Sequence, residues 1–72
     1  MAAETKRVAS TCLSFVAYDW DRETLRVTFS GSRASYVYFG VPSYVYLGLL
    51  QAPSKGRFYN AAIRDRYTYS KG

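Results

Sequence analysis

The sequence predicts an α+β domain in which a three-stranded antiparallel β-meander is followed by two helices packed on one of its faces. Three observations carry that expectation: a period-two run at 25–29, turn-forming segments on either side of it, and an apolar pattern of helical period that begins only after Pro42. Connections of about five residues suit antiparallel neighbours, because parallel strands need a crossover of roughly a dozen residues or more. Strands first and helices afterwards define the α+β class.

Residues 1–12 are polar or small and lack a sustained period, so they read as an N-terminal arm that adds at most a short strand near Val8. The first expected strand is the β-prone run Phe15-Val16-Ala17-Tyr18, closed by the turn formers Asp19-Trp20-Asp21-Arg22-Glu23-Thr24. In the second, Leu25, Val27 and Phe29 face the core and Arg26 and Thr28 face out. After Ser30-Gly31-Ser32-Arg33-Ala34 comes the third, Ser35-Tyr36-Val37-Tyr38-Phe39, ended by Gly40 and Val41-Pro42. Pro42 or Ser43 starts a helix whose apolar face is Val45, Tyr46, Leu49, Leu50 and Ala52, leaving Tyr44, Leu47, Gly48 and Gln51 on the other side. Pro53 stops it and Ser54 caps the next. That second helix buries Tyr59, Ala62 and Ile63, with Phe58 at the edge, and places Arg57, Asn60, Ala61 and Arg64 on one exposed strip. It is expected to end after Arg64, because Arg66 would fall within the apolar stripe. Residues 13–67 are thus the expected domain and 68–72 a tail; across that boundary Tyr67 and Tyr69 alternate with Thr68 and can pair at a sheet edge.

Seventy-two residues form one small domain, and a chain of that size buries only about 60% of the surface its unfolded form exposes. Eight Tyr, four Phe and one Trp supply the dense core that this requires. Cys12 is the sole cysteine, so no intrachain disulfide forms; a single thiol and a start without the apolar stretch of a signal peptide lead to the expectation of a cytoplasmic protein. The longest apolar run, 44–50, is far short of the roughly 20 residues that span a bilayer.

The chemistry of catalysis is sparse. The chain has no histidine, and its three lysines show no Ser-x-x-Lys spacing, which leaves Cys12 and the serines without a base. Asp19, Asp21 and Glu23 cluster, but within one turn, where Asx-type bonding accounts for them; they lack the downstream Gly and Glu of a Ca²⁺ loop. Zinc has no ligand set, and neither metal nor cofactor is expected. The chain is expected to be a binding domain, not an enzyme.

Ten Lys plus Arg against five Asp plus Glu gives a net charge of +5. Lys55, Arg57, Arg64, Arg66 and Lys71 stand against Asp65 alone in the last third, a balance that favours an anionic partner. Ser54-Lys55-Gly56-Arg57 is too poor in glycine to be a Walker loop. It reads in two ways: as a phosphate contact at a helix start, or as an N-cap whose Gly permits tight packing on the sheet. Tyr36 and Tyr38 share one face of the third strand and also read in two ways. Facing solvent, they are stacking platforms of the kind single-strand binders use. Facing the helices, they are core, and Phe15, Ala17, Val37 and Phe39 lie on the outer face instead.

Tyr36-Val37-Tyr38-Phe39, Val41-Pro42, Ser54-Lys55-Gly56 and Phe58-Tyr59-Asn60 followed by Ile63-Arg64 stand in an order and spacing that resemble the KTSC domain, over roughly Val8 to Tyr67. That domain is named for its place at the C-terminus of some lysyl-tRNA synthetases and also occurs as small stand-alone bacterial and phage proteins. The resemblance implies RNA binding, by association with a synthetase, and carries no established site. One departure is the order Phe58-Tyr59 before Asn60, where the family usually has Tyr-Phe. The expected function is therefore RNA or DNA binding, with Lys55, Arg57 and Arg64 on phosphates and Tyr36 and Tyr38 on bases. The alternative is a protein-interaction module or homodimer that uses an apolar sheet face or the Tyr44-Leu47-Gln51 helix face.

Overall fold

In the computed structural model, which describes residues 3–8, 10, 12–31 and 34–72, the expected meander forms the centre of a five-stranded antiparallel sheet. β1 (Ala3–Arg7), β2 (Leu13–Asp19), β3 (Thr24–Phe29) and β4 (Ser35–Tyr38) follow one another; after α1 (Ser43–Gln51) and α2 (Lys55–Ala62) the chain returns as β5 (Tyr69–Lys71) and pairs with β4. The count of three strands is corrected to five, since the N-terminal arm and the C-terminal tail each supply an edge strand. β1 pairs along its whole length, from Ala3 opposite Asp19 to Arg7 opposite Phe15. In β5, Tyr69 lies opposite Tyr38 and Lys71 opposite Tyr36.

The helices cover one face, and Tyr36 and Tyr38 lie on that face. The core joins Leu13, Val16, Tyr18, Leu25, Val27 and Tyr38 of the sheet to Val45, Tyr46, Leu49, Tyr59 and Ile63 of the helical half, with Val41 between them. Leu13 and Val16 differ in parity, yet both are buried. The register shift between Leu13 and Phe15 makes this possible by adding one residue to β2, which turns Leu13 inward. Phe15 then points away from the core and is 43% exposed.

The β2–β3 turn uses the chemistry expected of it. Asp19 Oδ1 accepts the backbone N–H groups of Asp21 (3.0 Å) and Arg22 (3.2 Å). Glu23 adopts φ 55°, and its carbonyl accepts the Val41 N–H at 2.8 Å, which ties the hairpin to the approach of α1.

Pro42 is the N-cap of α1, and its carbonyl accepts the Val45 N–H at 3.0 Å. Ser54 caps α2 as expected, its Oγ accepting the Arg57 N–H at 3.4 Å. The end of α2 is earlier than the sequence suggests. Both Ile63 and Arg64 donate to the Tyr59 carbonyl, at 3.0 and 2.9 Å, so the helical ladder closes there and Asp65 turns the chain with φ 63°. Arg64 therefore sits in a turn beyond the helix, not on the strip with Arg57.

Candidate binding cleft

Five aromatic side chains from four elements meet at the β4–β5 end of the molecule. Phe29 ends β3, Tyr36 and Tyr38 come from β4, Tyr69 from β5 and Tyr59 from α2. Their rings form a closed circuit. Tyr69 meets Tyr36 at a centroid distance of 5.4 Å, Tyr36 meets Phe29 at 5.6 Å, Phe29 meets Tyr59 at 5.3 Å, Tyr59 meets Tyr38 at 6.0 Å, and Tyr38 returns to Tyr69 at 5.6 Å. Four of the five contacts are edge to face, the arrangement that ring quadrupoles favour.

The circuit lines a cleft of about 530 Å³, whose other wall includes Cys12, Gly56, Asn60, Arg64 and Asp65. A second hollow of about 470 Å³ adjoins it and shares Cys12, Gly56 and Asn60; it is further lined by Ser54, Lys55 and Arg57. Two neighbouring concavities on one face thus hold all five expected site residues.

Their states differ, however. Tyr36 is half-buried, but Tyr38 is only 3% exposed, and its hydroxyl is hydrogen-bonded to that of Tyr59. Burial first, and the Tyr59 bond second, push the Tyr38 phenol well above the ordinary value of 10.0, so it is neutral. The expectation that Tyr38 offers a free stacking face is corrected, because the helices cover it. The exposed ring is that of Tyr69, 59% accessible. Lys55 Nζ donates to the Ala52 carbonyl at 2.8 Å, occupying an acceptor at the C-terminus of α1. Arg57 and Arg64 make no side-chain hydrogen bond or ion pair among the described residues.

Gly56 settles one of the two readings of the Ser54–Arg57 turn. A Cβ there would stand 3.0 Å from Cys12 Sγ and 3.3 Å from Cys12 Cβ, so the missing side chain is what lets α2 lie against Cys12. The Arg57 N–H is already held by Ser54. Tight packing accounts for the glycine, and the Arg57 guanidinium is not drawn into the cap. The order Phe58-Tyr59 also has a visible role: Phe58 Cζ would stand 2.9 Å from a Cβ at Gly48, in the α1–α2 contact, while Tyr59 turns its hydroxyl to Tyr38.

Sequence reasoning placed Asn60 on the exposed strip without joining it to the site, and it left Tyr69 in the tail. The alternation Tyr67-Thr68-Tyr69 was the available signal for Tyr69. A separate aromatic layer lies under α1, where Tyr46 stacks on Tyr18 at 4.8 Å and Trp20 stands edge-on to both. There the Tyr18 hydroxyl donates to the Val41 carbonyl and that of Tyr46 to Glu4 Oε2, each at 2.5 Å. Among the described residues no group of three or more His, Cys, Asp or Glu is placed to hold a metal, and no helix is long and apolar enough to cross a membrane.

A meander with both chain ends recruited as edge strands, a helical hairpin on one face and an aromatic cleft at its β5 edge define a small α+β domain class. The chain belongs to the KTSC domain family, whose profile matches residues 9–67. The crystal structure of a KTSC domain protein from Yersinia pestis superimposes with a TM-score of 0.91 at 30% identity, covering 99% of each chain. A protein of Tsukamurella paurometabola is 37% identical over 60 residues, 83% of this chain and 88% of its own. An uncharacterized protein of Stutzerimonas stutzeri is 41% identical over 64 residues, 86% and 89% of the two chains.

Proposed function

We propose that this KTSC domain is a non-catalytic binder of single-stranded RNA or DNA in a reducing, cytoplasmic setting. The observation that carries the reading is the aromatic cleft flanked by the uncommitted guanidinium groups of Arg57 and Arg64. Base–aromatic stacking contributes about 1–3 kcal/mol per base, and arginines supply the salt-dependent phosphate contacts. Tyr36 and Tyr69 are the rings within reach of a strand, and Tyr38 and Tyr59 form the floor beneath them. The absence of histidine from the sequence supports a role without turnover.

The test is a binding titration against labelled single-stranded RNA, tRNA and duplex DNA at about 50 and 200 mM salt, the interval in which phosphate contacts lose much of their affinity. Two contacts to a single strand correspond to a loss of roughly sevenfold across that interval. Arg57→Ala with Arg64→Ala is expected to weaken binding at the lower salt and to flatten the salt dependence by about 1.4 in log–log slope. No binding at the lower salt would refute the reading.

That result would favour the second reading, a protein-interaction or homodimer surface on the open sheet face. There Phe15 is exposed, Ala17 and Val37 are partly so, and Arg26 lies between these last two in register.

A further inference from the structure

We infer that the aromatic cleft takes one unstacked purine base of a single strand, with the Asn60 amide reading its edge; this rests on the nucleic-acid reading above. The volume of about 530 Å³ lies within the roughly 300–1,000 Å³ typical of small-ligand sites, and the space is bounded on one side by a continuous aromatic wall. A flat, polarisable guest suits such a wall.

Aromatic enclosures also suit quaternary ammonium groups, so charge must decide between a cationic and an anionic guest. Asp65 is the single carboxylate among the described residues of the wall, and Arg64 precedes it in the chain. Lys55 and Arg57 line the adjoining hollow, and Lys71 lies opposite Tyr36 in register, which adds positive charge around the cleft. That field repels a cation and favours a base carried on a phosphate backbone.

Asn60 is the one residue with an uncharged side-chain amide in the wall; it lines both the cleft and the adjoining hollow, and it makes no side-chain hydrogen bond among the described residues. An amide offers a donor and an acceptor side by side, the pattern that matches N6 and N7 of adenine. From Asn60 the adjoining hollow leads to Arg57, where the next phosphate of the strand would lie.

The experiment uses three short uridine strands: one with a single central adenosine, one all uridine, and one with an abasic site at the centre. The adenosine strand is expected to bind roughly tenfold tighter than the abasic one, within the range for a single stacked base. Asn60→Ala is expected to bring the adenosine and uridine strands to equal affinity while leaving salt-dependent binding in place; Asn60 is exposed, so the variant folds. Equal affinity for the adenosine and abasic strands would overturn the inference and leave the nucleic-acid reading standing. So would an adenosine preference that survives Asn60→Ala. Failure of all three strands to bind at low salt would remove both.

Discussion

Tyr46→Ala is expected to cost about 3–5 kcal/mol of folding stability, the range for truncating a fully buried aromatic. A chain of this length has roughly 4–11 kcal/mol in total, at about 0.05–0.15 kcal/mol per residue, so the variant stands at the edge of unfolding. The size of the effect follows from where Tyr46 sits. It is 0% exposed, its ring lies 9° from parallel with Tyr18, and Trp20 abuts both. Its hydroxyl reaches Glu4 on β1, so the same side chain ties the first strand to the first helix. Tyr46→Phe keeps the ring and loses only that hydrogen bond, at about 1.5–3 kcal/mol for a bond to a carboxylate. Denaturant unfolding of the two variants separates the contributions. A Tyr46→Ala midpoint close to wild type would show that the layer beneath α1 is not structural.

Alkaline pH is expected to have a comparable effect. Burial raises the phenol pKa values of Tyr18, Tyr38 and Tyr46 above 10.0, with the hydrogen bond between the Tyr38 and Tyr59 hydroxyls adding to it at Tyr38 and that to Glu4 at Tyr46. Below pH 10 the phenols are protonated in both states, and the stability is fully present. As pH rises past 10 the unfolded chain ionises while the folded one does not, so unfolding releases protons and stability falls. Each phenol contributes a slope of about 1.4 kcal/mol per pH unit until its folded pKa is reached. With the two larger shifts, at Tyr38 and Tyr46, the loss approaches about 3 kcal/mol per unit, and Tyr18 acts in the same direction. Part of the tyrosinate absorbance change, that of the three buried phenols, is expected to coincide with the loss of far-UV circular dichroism above pH 10. Tyrosine ionisation that is complete before any loss of structure would contradict the assignment.

The parts of the fold visible in the sequence are those in which burial writes a period. Leu25, Val27 and Phe29 alternate because one face of β3 is covered, and Val45, Tyr46 and Leu49 recur because one face of α1 is. β1 leaves no such mark. Its helix-side residues are Glu4 and Lys6, at an edge that the helices cover only in part, so its strand character comes from backbone pairing and not from its composition. The β2 bulge likewise hides in an apolar run that alternation alone would misalign. Among the site residues, Tyr36 and Tyr38 announced themselves by spacing, but which face they shared depended on helices that strand periodicity does not encode. Arg64 was misplaced by two residues of helix. Tyr69 was out of reach for a different reason: its neighbours in the circuit lie more than thirty positions away in the chain, and no local pattern records that meeting.

Tyr69 reaches the sheet only after both helices have been traversed, and β5 is held by three paired residues at an edge. Closing so long a loop costs entropy before any contact rewards it, whereas β2–β3 and β3–β4 zip from local turns. The cleft is thus expected to close after the β2–β4 meander has formed and to open before that meander does. Release of β5 removes the Tyr69 wall and leaves the remaining sheet and its core in place, an opening with a lower free energy than global unfolding. Amide hydrogens donated across the β4–β5 pair, with those of Phe39 and Gly72, are expected to exchange faster than those within β2 and β3. A guest held against Tyr69 would slow them selectively, so that occupancy of the site is written in the exchange rates of a strand edge.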